Sequence, residues 1–201
     1  GGVETLFKTS SDTVVGYAND AYKTAGMSAN EYMETVTSFS ASLLASMNND
    51  TAAAAEKANV AITDMSDNAN KMGTDISLIQ NAYNGFAKQN YTMLDNLKLG
   101  YGGTKEEMQR LLDDASKLSG IKYDISSYSD VVDAIHVVQT EMGITGTTAK
   151  EASTTIEGSV SSMSSAWDNW VAGMADSEAN FSQLTSNLVD SIVTVVGNIA
   201  P

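Results

Sequence analysis

The chain contains no cysteine, which excludes disulfide crosslinks, thiol nucleophiles and every thiolate-based zinc site. Histidine is almost as scarce: His136 stands alone, too few for a His-rich metal site. Proline occurs once, at Pro201, the last position. Nothing inside the chain therefore fixes φ or removes a backbone donor, and long helices are permitted throughout. Basic residues are few. Eleven lysines and arginines, with Arg110 the single arginine, face 25 aspartates and glutamates, for a net charge of −14. A nucleic-acid binder concentrates basic side chains on one face, because phosphate contacts dominate its affinity. This balance predicts repulsion from DNA and from anionic membrane surfaces, so no direct nucleic-acid binding is expected. It suits a protein that lies near DNA without holding it. The longest apolar-leaning stretch, Leu188 to Ala200, is too short to span a bilayer and contains Asp190. The opening GGVETLF has neither an initiator methionine nor a basic-then-apolar leader. The chain is expected to be a piece of a longer protein, cut at both ends.

What remains is helical pattern. With 201 residues and 42% hydrophobic content, the chain can bury a real core as one large or two small domains. Apolar residues recur at helical spacing almost throughout. Tyr32, Val36, Phe39, Leu43 and Met47 make one stripe, and Ala54, Ala58, Ala61, Met65 and Met72 the next. Further stripes run Ile79–Tyr83–Phe86, Met108–Leu111–Ala115–Leu118 and Val131–Ile135–Val138–Met142. Two close the chain, Val160–Met163–Trp167–Trp170–Val171–Met174 and Phe181–Leu184–Leu188–Ile192–Val195–Ile199.

Start and stop signals agree. Ser28–Glu31, Thr104–Glu107 and Thr148–Glu151 fit the capping box, in which the hydroxyl accepts from a first-turn amide and the glutamate reaches back. Gly73, Gly120 and Gly143 sit where helices stop. Helices are therefore expected near 13–25, 28–47, 50–72, 75–89, 104–119, 128–142, 148–157, 158–174 and 178–199. Segment 90–103 reads as a short helix followed by an ordered loop. The expected fold is all-α: a compact bundle of about eight or nine helices with a projecting C-terminal helical pair. The Ser/Thr-rich link at 153–165 divides it into a compact domain, 1–157, and a helical pair, 158–201.

Candidate chemistry is thin. LKLGYGGTKEEM, Leu97 to Met108, has the look of a phosphate-cradling loop. A P-loop needs lysine directly after the last glycine, but here the order is Gly103-Thr104-Lys105, and no strand leads in. Leu99, Gly100, Tyr101, Gly102, Gly103 and Thr104 are expected to form a turn that caps the next helix and packs Tyr101 and Leu99 against its neighbours. His136 could formally join a serine and an aspartate, yet no G-x-S-x-G elbow is present, so a structural or surface histidine is expected. Asp64, Asp67 and Asp75 with Asn68 and Asn70 fail calcium-loop spacing and read as a solvated helix face. Met163, Trp167, Trp170, Val171 and Met174 form the bulkiest apolar face. It reads first as core, and alternatively as a face for another subunit or for missing chain. WDNWVAG is similar to the Trp-x-Gly turn of small secreted helical-hairpin proteins, with one residue too many. No catalytic, cofactor or metal residue is assigned.

The run GTDISLIQNAYNGFAKQNYTMLDNLKLGYGGTKEEMQRLLDDASKLSG, residues 73–120, resembles the tail tape-measure proteins of long-tailed bacteriophages and related prophages. So do AGMSANEYMETVTSFSASLL at 25–44, ITDMSDNANKMGTD at 62–75 and AIHVVQTEMGITGTTAKEASTTIEGSVSSMSSAWDNW at 134–170. The resemblance implies a virion structural protein, assembled in the host cytoplasm and housed in the tail-tube lumen. Its length would set that of the tail, and it would leave ahead of the DNA at genome ejection. The implied partners are the tail-tube protein and tail assembly chaperones, with self-association and host-membrane contact as further expectations. No catalytic residue carries over. Some family members hold separate cell-wall-cleaving domains, whose motifs are not found here. A ruler works by axial length, about 1.5 Å per helical residue. Glycine-punctuated helices look compact instead, so this region is expected to be a folded plug, an end anchor or an injected module. The alternatives are a tail-associated cell-wall hydrolase and a secreted helical interaction protein.

Overall fold

In the computed structural model, residues 1–175 and 180–200 are described, with the side chains of 156, 157 and 175 set aside. Ten α-helices and two 3₁₀ turns occur among the described residues, and no strand does. The helices are α1 (Gly2–Phe7), α2 (Ser11–Thr24), α3 (Ala29–Ser46), α4 (Thr51–Met72) and α5 (Ile76–Ala87). They continue with α6 (Lys105–Ser119), α7 (Tyr128–Glu141), α8 (Thr147–Thr154), α9 (Ile156–Ala175) and α10 (Phe181–Ile199). The 3₁₀ turns are Lys8–Ser10 and Leu94–Leu97. The all-α bundle expected from periodicity is present. Helix α1 and its 3₁₀ turn are additions, because six residues carry too little periodicity to announce a helix.

Helix α4 is the axis, touching α1, α2, α3, α5, α7 and α8. Its sequence explains why. Ala54, Ala58 and Ala61 form a small-residue stripe that lets neighbouring backbones approach closely, and all three are buried. Phe39, Leu43, Ile62, Met65, Tyr83 and Phe86 fill the space around it. Phe39 meets Tyr128 edge-on at 6.4 Å, and Tyr83 packs on Phe86 at 5.7 Å, both within the favourable range for aromatic pairs. This core takes in residues from Val3 to Ile144.

The chain beyond Ile144 packs differently. Helices α9 and α10 form an antiparallel hairpin, shown by Trp170 Nε1 donating to Thr185 and Asn198 Nδ2 donating to Ser159. The pair lies along α2 rather than standing clear of the body. Tyr22, Ala166 and Leu188 form a separate small apolar cluster at that contact.

Candidate functional site

Three features carry unusual chemistry, and the first is the glycine loop. Thr104 is the N-cap of α6, its hydroxyl accepting from the Glu107 amide at 3.1 Å. The Glu107 carboxylate reaches back two residues further than in a standard box and accepts from the Gly102 amide at 3.1 Å. The only arginine then locks the loop. Arg110 donates from Nε and Nη2 to Glu107, donates again to the Gly100 carbonyl, and lies 4.3 Å from the centre of the Tyr101 ring. Arg110 and the Gly102 amide hold the Glu107 carboxyl down near pH 2. Tyr101 donates to Asp114 at 2.6 Å. Burial, reinforced by that carboxylate, raises the Tyr101 hydroxyl to about 12. The amide and guanidinium that an anion would need are thus spent inside the loop. Leu99 and Tyr101 are buried, as a packed turn requires. Gly103 serves a separate purpose: a Cβ there would sit 2.2 Å from the Thr92 carbonyl oxygen, so two backbones cross where only glycine fits.

The second feature corrects the sequence reading of α4. Asp64, Asp67 and Asn68 are not a solvated face; each is at most 1% exposed. Asp64 accepts from His136 Nδ1, with both carboxylate oxygens at 3.0 Å. Burial raises the Asp64 carboxyl, and the nearby imidazole opposes that rise. The same contact raises His136, which stays half-buried. Asn68 donates to Gln139 and to the Leu97 carbonyl, tying α4 to α7 and to the second 3₁₀ turn. Lys57 pairs with Asp133 on the same α4–α7 seam. Asp67 accepts from the Gly146 amide at 2.8 Å and the Thr148 amide at 3.0 Å. It therefore caps α8 from another helix, where sequence placed a Thr148–Glu151 box. Gly146, in the left-handed region at φ 87°, is the actual N-cap. The structure brings His136 to an aspartate, yet among the described residues no hydrogen bond reaches its Nε2. What the sequence hid had one signal: Asn68 lies seven residues after Ala61 and three after Met65, on the apolar stripe itself.

The third feature is the C-terminal hairpin, whose amphipathicity is inverted. Toward α2 and α3 it presents small and polar residues. Ser162, Ser165, Asn169, Asn187 and Ser191 are all buried there. Asn169 accepts from the Ala29 amide at 2.6 Å, Asn187 donates to the Asn19 carbonyl, and Ser165 donates to the Gly26 carbonyl. The large side chains point outward. Trp167 is 52% exposed, Met174 58% and Val193 65%, with Val171, Val196 and Ile199 also exposed. The first reading of the tryptophan face as core is therefore corrected: Trp167, Val171 and Met174 are exposed, and Met163 and Trp170 are half-buried. Trp167, Trp170 and Phe181 run as a chain of ring contacts at 5.5 and 5.7 Å. The α10 stripe also divides. Leu184, Leu188 and Val195 face inward, while Phe181, Ile192 and Ile199 face out beside Val189, Val193 and Val196.

A crevice of about 290 Å³ lies between the body and this hairpin, with Glu31, Ser66, Thr74, Thr148 and Ser161 in its wall. The Ser66, Thr74 and Thr148 hydroxyl oxygens are buried and have no protein partner. No group of three or more metal-ligating side chains converges among the described residues, and no helix there is long and apolar enough to cross a membrane. Comparison with family models, with curated proteins and with solved structures found no match to the chain.

Proposed function

We propose that this chain is a helical region of a phage tail tape-measure protein, a structural element that works through protein contacts and not through catalysis. In this reading it resides in the tail-tube lumen after assembly in the host cytoplasm, meets the tail-tube protein and assembly chaperones, and is released during genome ejection. The sequence resemblance supports the identity. The observation that carries the mode of action is the outer face of the α9–α10 hairpin. Trp167, Met174, Val193 and their neighbours form an exposed apolar surface of the kind that marks protein contacts. The acidic composition agrees, since a net charge of −14 lets the chain share a tube with DNA without binding it.

A region folded as a bundle does not measure length along its own contour. The ruler function belongs to extended segments elsewhere, and this region anchors or plugs. The test is an in-frame deletion of the region in the producing phage or prophage, with peptide mass spectrometry of purified particles. The proposal expects peptides of the chain in wild-type tails, and the deletion should block tail assembly or ejection without shortening tails by about 1.5 Å per deleted residue. Particles that lack the chain refute the assignment. Peptidoglycan clearing in a zymogram, abolished by His136→Gln, refutes the non-catalytic reading.

A further inference from the structure

The hairpin's inverted faces identify an interface. Helix α10 carries apolar side chains on two faces, Leu184, Leu188 and Val195 on one and Val189, Val193 and Val196 on another, with polar residues between them. Only the first side is covered. We infer that the outer face of the α9–α10 hairpin is covered by the same face of a second copy of this chain, forming a two-fold four-helix contact. This inference deepens the protein-contact reading above by naming the partner.

Three observations favour a second copy over another occupant. The first is area. Ten large apolar side chains on α9 and α10 are 41 to 65% exposed. With each about half exposed, about 150–250 Å² for a whole aromatic side chain and less for Val, Ile and Met, the face offers on the order of 800–1,000 Å², comparable to the roughly 800 Å² per partner of a standard interface. The second is shape. The loop half of the hairpin carries the bulky groups Trp167, Trp170, Met174 and Phe181. The open half carries the β-branched Val160, Ile192, Val193, Val196 and Ile199. A two-fold axis across the hairpin's middle sets each bulky half on the other copy's β-branched half, so large meets small, as dense packing requires. The third is charge. Residues 151–201 contain six acids and no lysine, arginine or histidine. Asp190, however, lies beside Tyr22 and Lys23 at the body contact and not on the outer face. Among the described residues the apolar stripe itself carries no charge, with Asp168 exposed beside Trp167, so apolar contact and not a charge pattern selects the partner.

The test uses the full chain and its own fluorescence, because Trp167 lies on this face at 52% exposure. Sedimentation velocity at roughly 50 µM, above the micromolar constant a standard-size interface commonly reaches, is expected to show twice the 21.2 kDa chain mass. Tryptophan emission should shift to the red on dilution as the dimer parts. Val193→Glu with Val196→Glu should raise the dissociation constant at least about a hundredfold. Its helical circular dichroism should stay unchanged, since both residues already face out. Trp167→Ser gives a second route to the same loss from the opposite half. A monomer at that concentration, with emission independent of dilution, overturns the inference. So does a dimer that both variants leave intact. Neither result bears on whether the chain is found in tails, so this inference and the tail assignment fail separately.

Discussion

Replacing each glycine of the LKLGYGGTKEEM loop by alanine in turn should give three different results, because the three positions need glycine for different reasons. At Gly103 a Cβ would stand 2.2 Å from the Thr92 carbonyl oxygen and 2.9 Å from its carbon. Both are backbone atoms, so no rotamer change relieves the overlap, and the two crossing segments must separate. Gly103→Ala is therefore placed at the upper end of overpacking costs, about 3 kcal/mol. At Gly100 the space is open but φ is +95°, so Gly100→Ala should cost about 1–2 kcal/mol of backbone strain. At Gly102 neither problem exists. An added Cβ would lie 3.6 Å from the Glu107 side chain, an ordinary contact, and the cost should stay within about 0.5 kcal/mol. Urea denaturation followed at a helical circular-dichroism band orders the three. Stability in the order Gly102→Ala, Gly100→Ala, Gly103→Ala supports a turn built on backbone crossing. Equal stabilities would refute it, and so would a Gly103→Ala variant as stable as wild type.

Other outcomes follow from the same structure. Asp67→Ala should cost about 3 kcal/mol, since two charge-assisted bonds to the start of α8, about 1.5 kcal/mol each, are lost; thermal melting checks it, and a loss under about 1 kcal/mol would contradict the cap. His136 is raised by its bond to Asp64, so its contribution is complete below the unfolded value near 6.5 and disappears as pH rises through the higher folded value. Stability of the wild type should thus decline as pH climbs from about 6.5 upward, and that slope should vanish in His136→Gln. Glu107 behaves in the opposite sense: held down to about 2, its contribution is complete above 4.5 and lost as pH falls from there toward 2. Arg110→Lys should speed hydrogen exchange at the Gly102 amide while leaving amides in α4 protected. Trp167→Ala should cost the folded monomer less than about 1 kcal/mol, because the ring is half-exposed, in contrast to the 3–5 kcal/mol of a core tryptophan.

Local signals carried the fold, and long-range ones did not show. Ser28 and Thr104 cap their helices as read, because a cap involves residues three apart. Gly73 and Gly120 end α4 and α6 in the left-handed conformation that only the stop position demands. The α8 cap was hidden because Asp67 supplies it from a helix some 80 positions earlier, and periodicity is blind to such a partner. The buried Asp64 and Asn68 were hidden for a related reason: their polarity is satisfied by His136, Gln139 and the Leu97 carbonyl, all distant in the chain. The hairpin shows a different limit. Helix α9 has two stripes at helical spacing, one bulky and one of Ser162, Ala166, Asn169 and Gly173. Spacing defines both faces without saying which meets the body. Hydrophobicity favoured the bulky stripe, whereas the body offers backbone groups at Asn19, Gly26 and Ala29 that need polar partners.

The central claim is that the hairpin's outer face works by contacting protein in the assembled particle. A photo-crosslinking residue at Val193, introduced in cells producing particles, tests it most directly. Ile121, also exposed but on the body, serves as the control. The account predicts that Val193 forms adducts carrying a second protein chain at several times the yield of Ile121. Equal low yields at both positions, in particles that contain the chain, would contradict it.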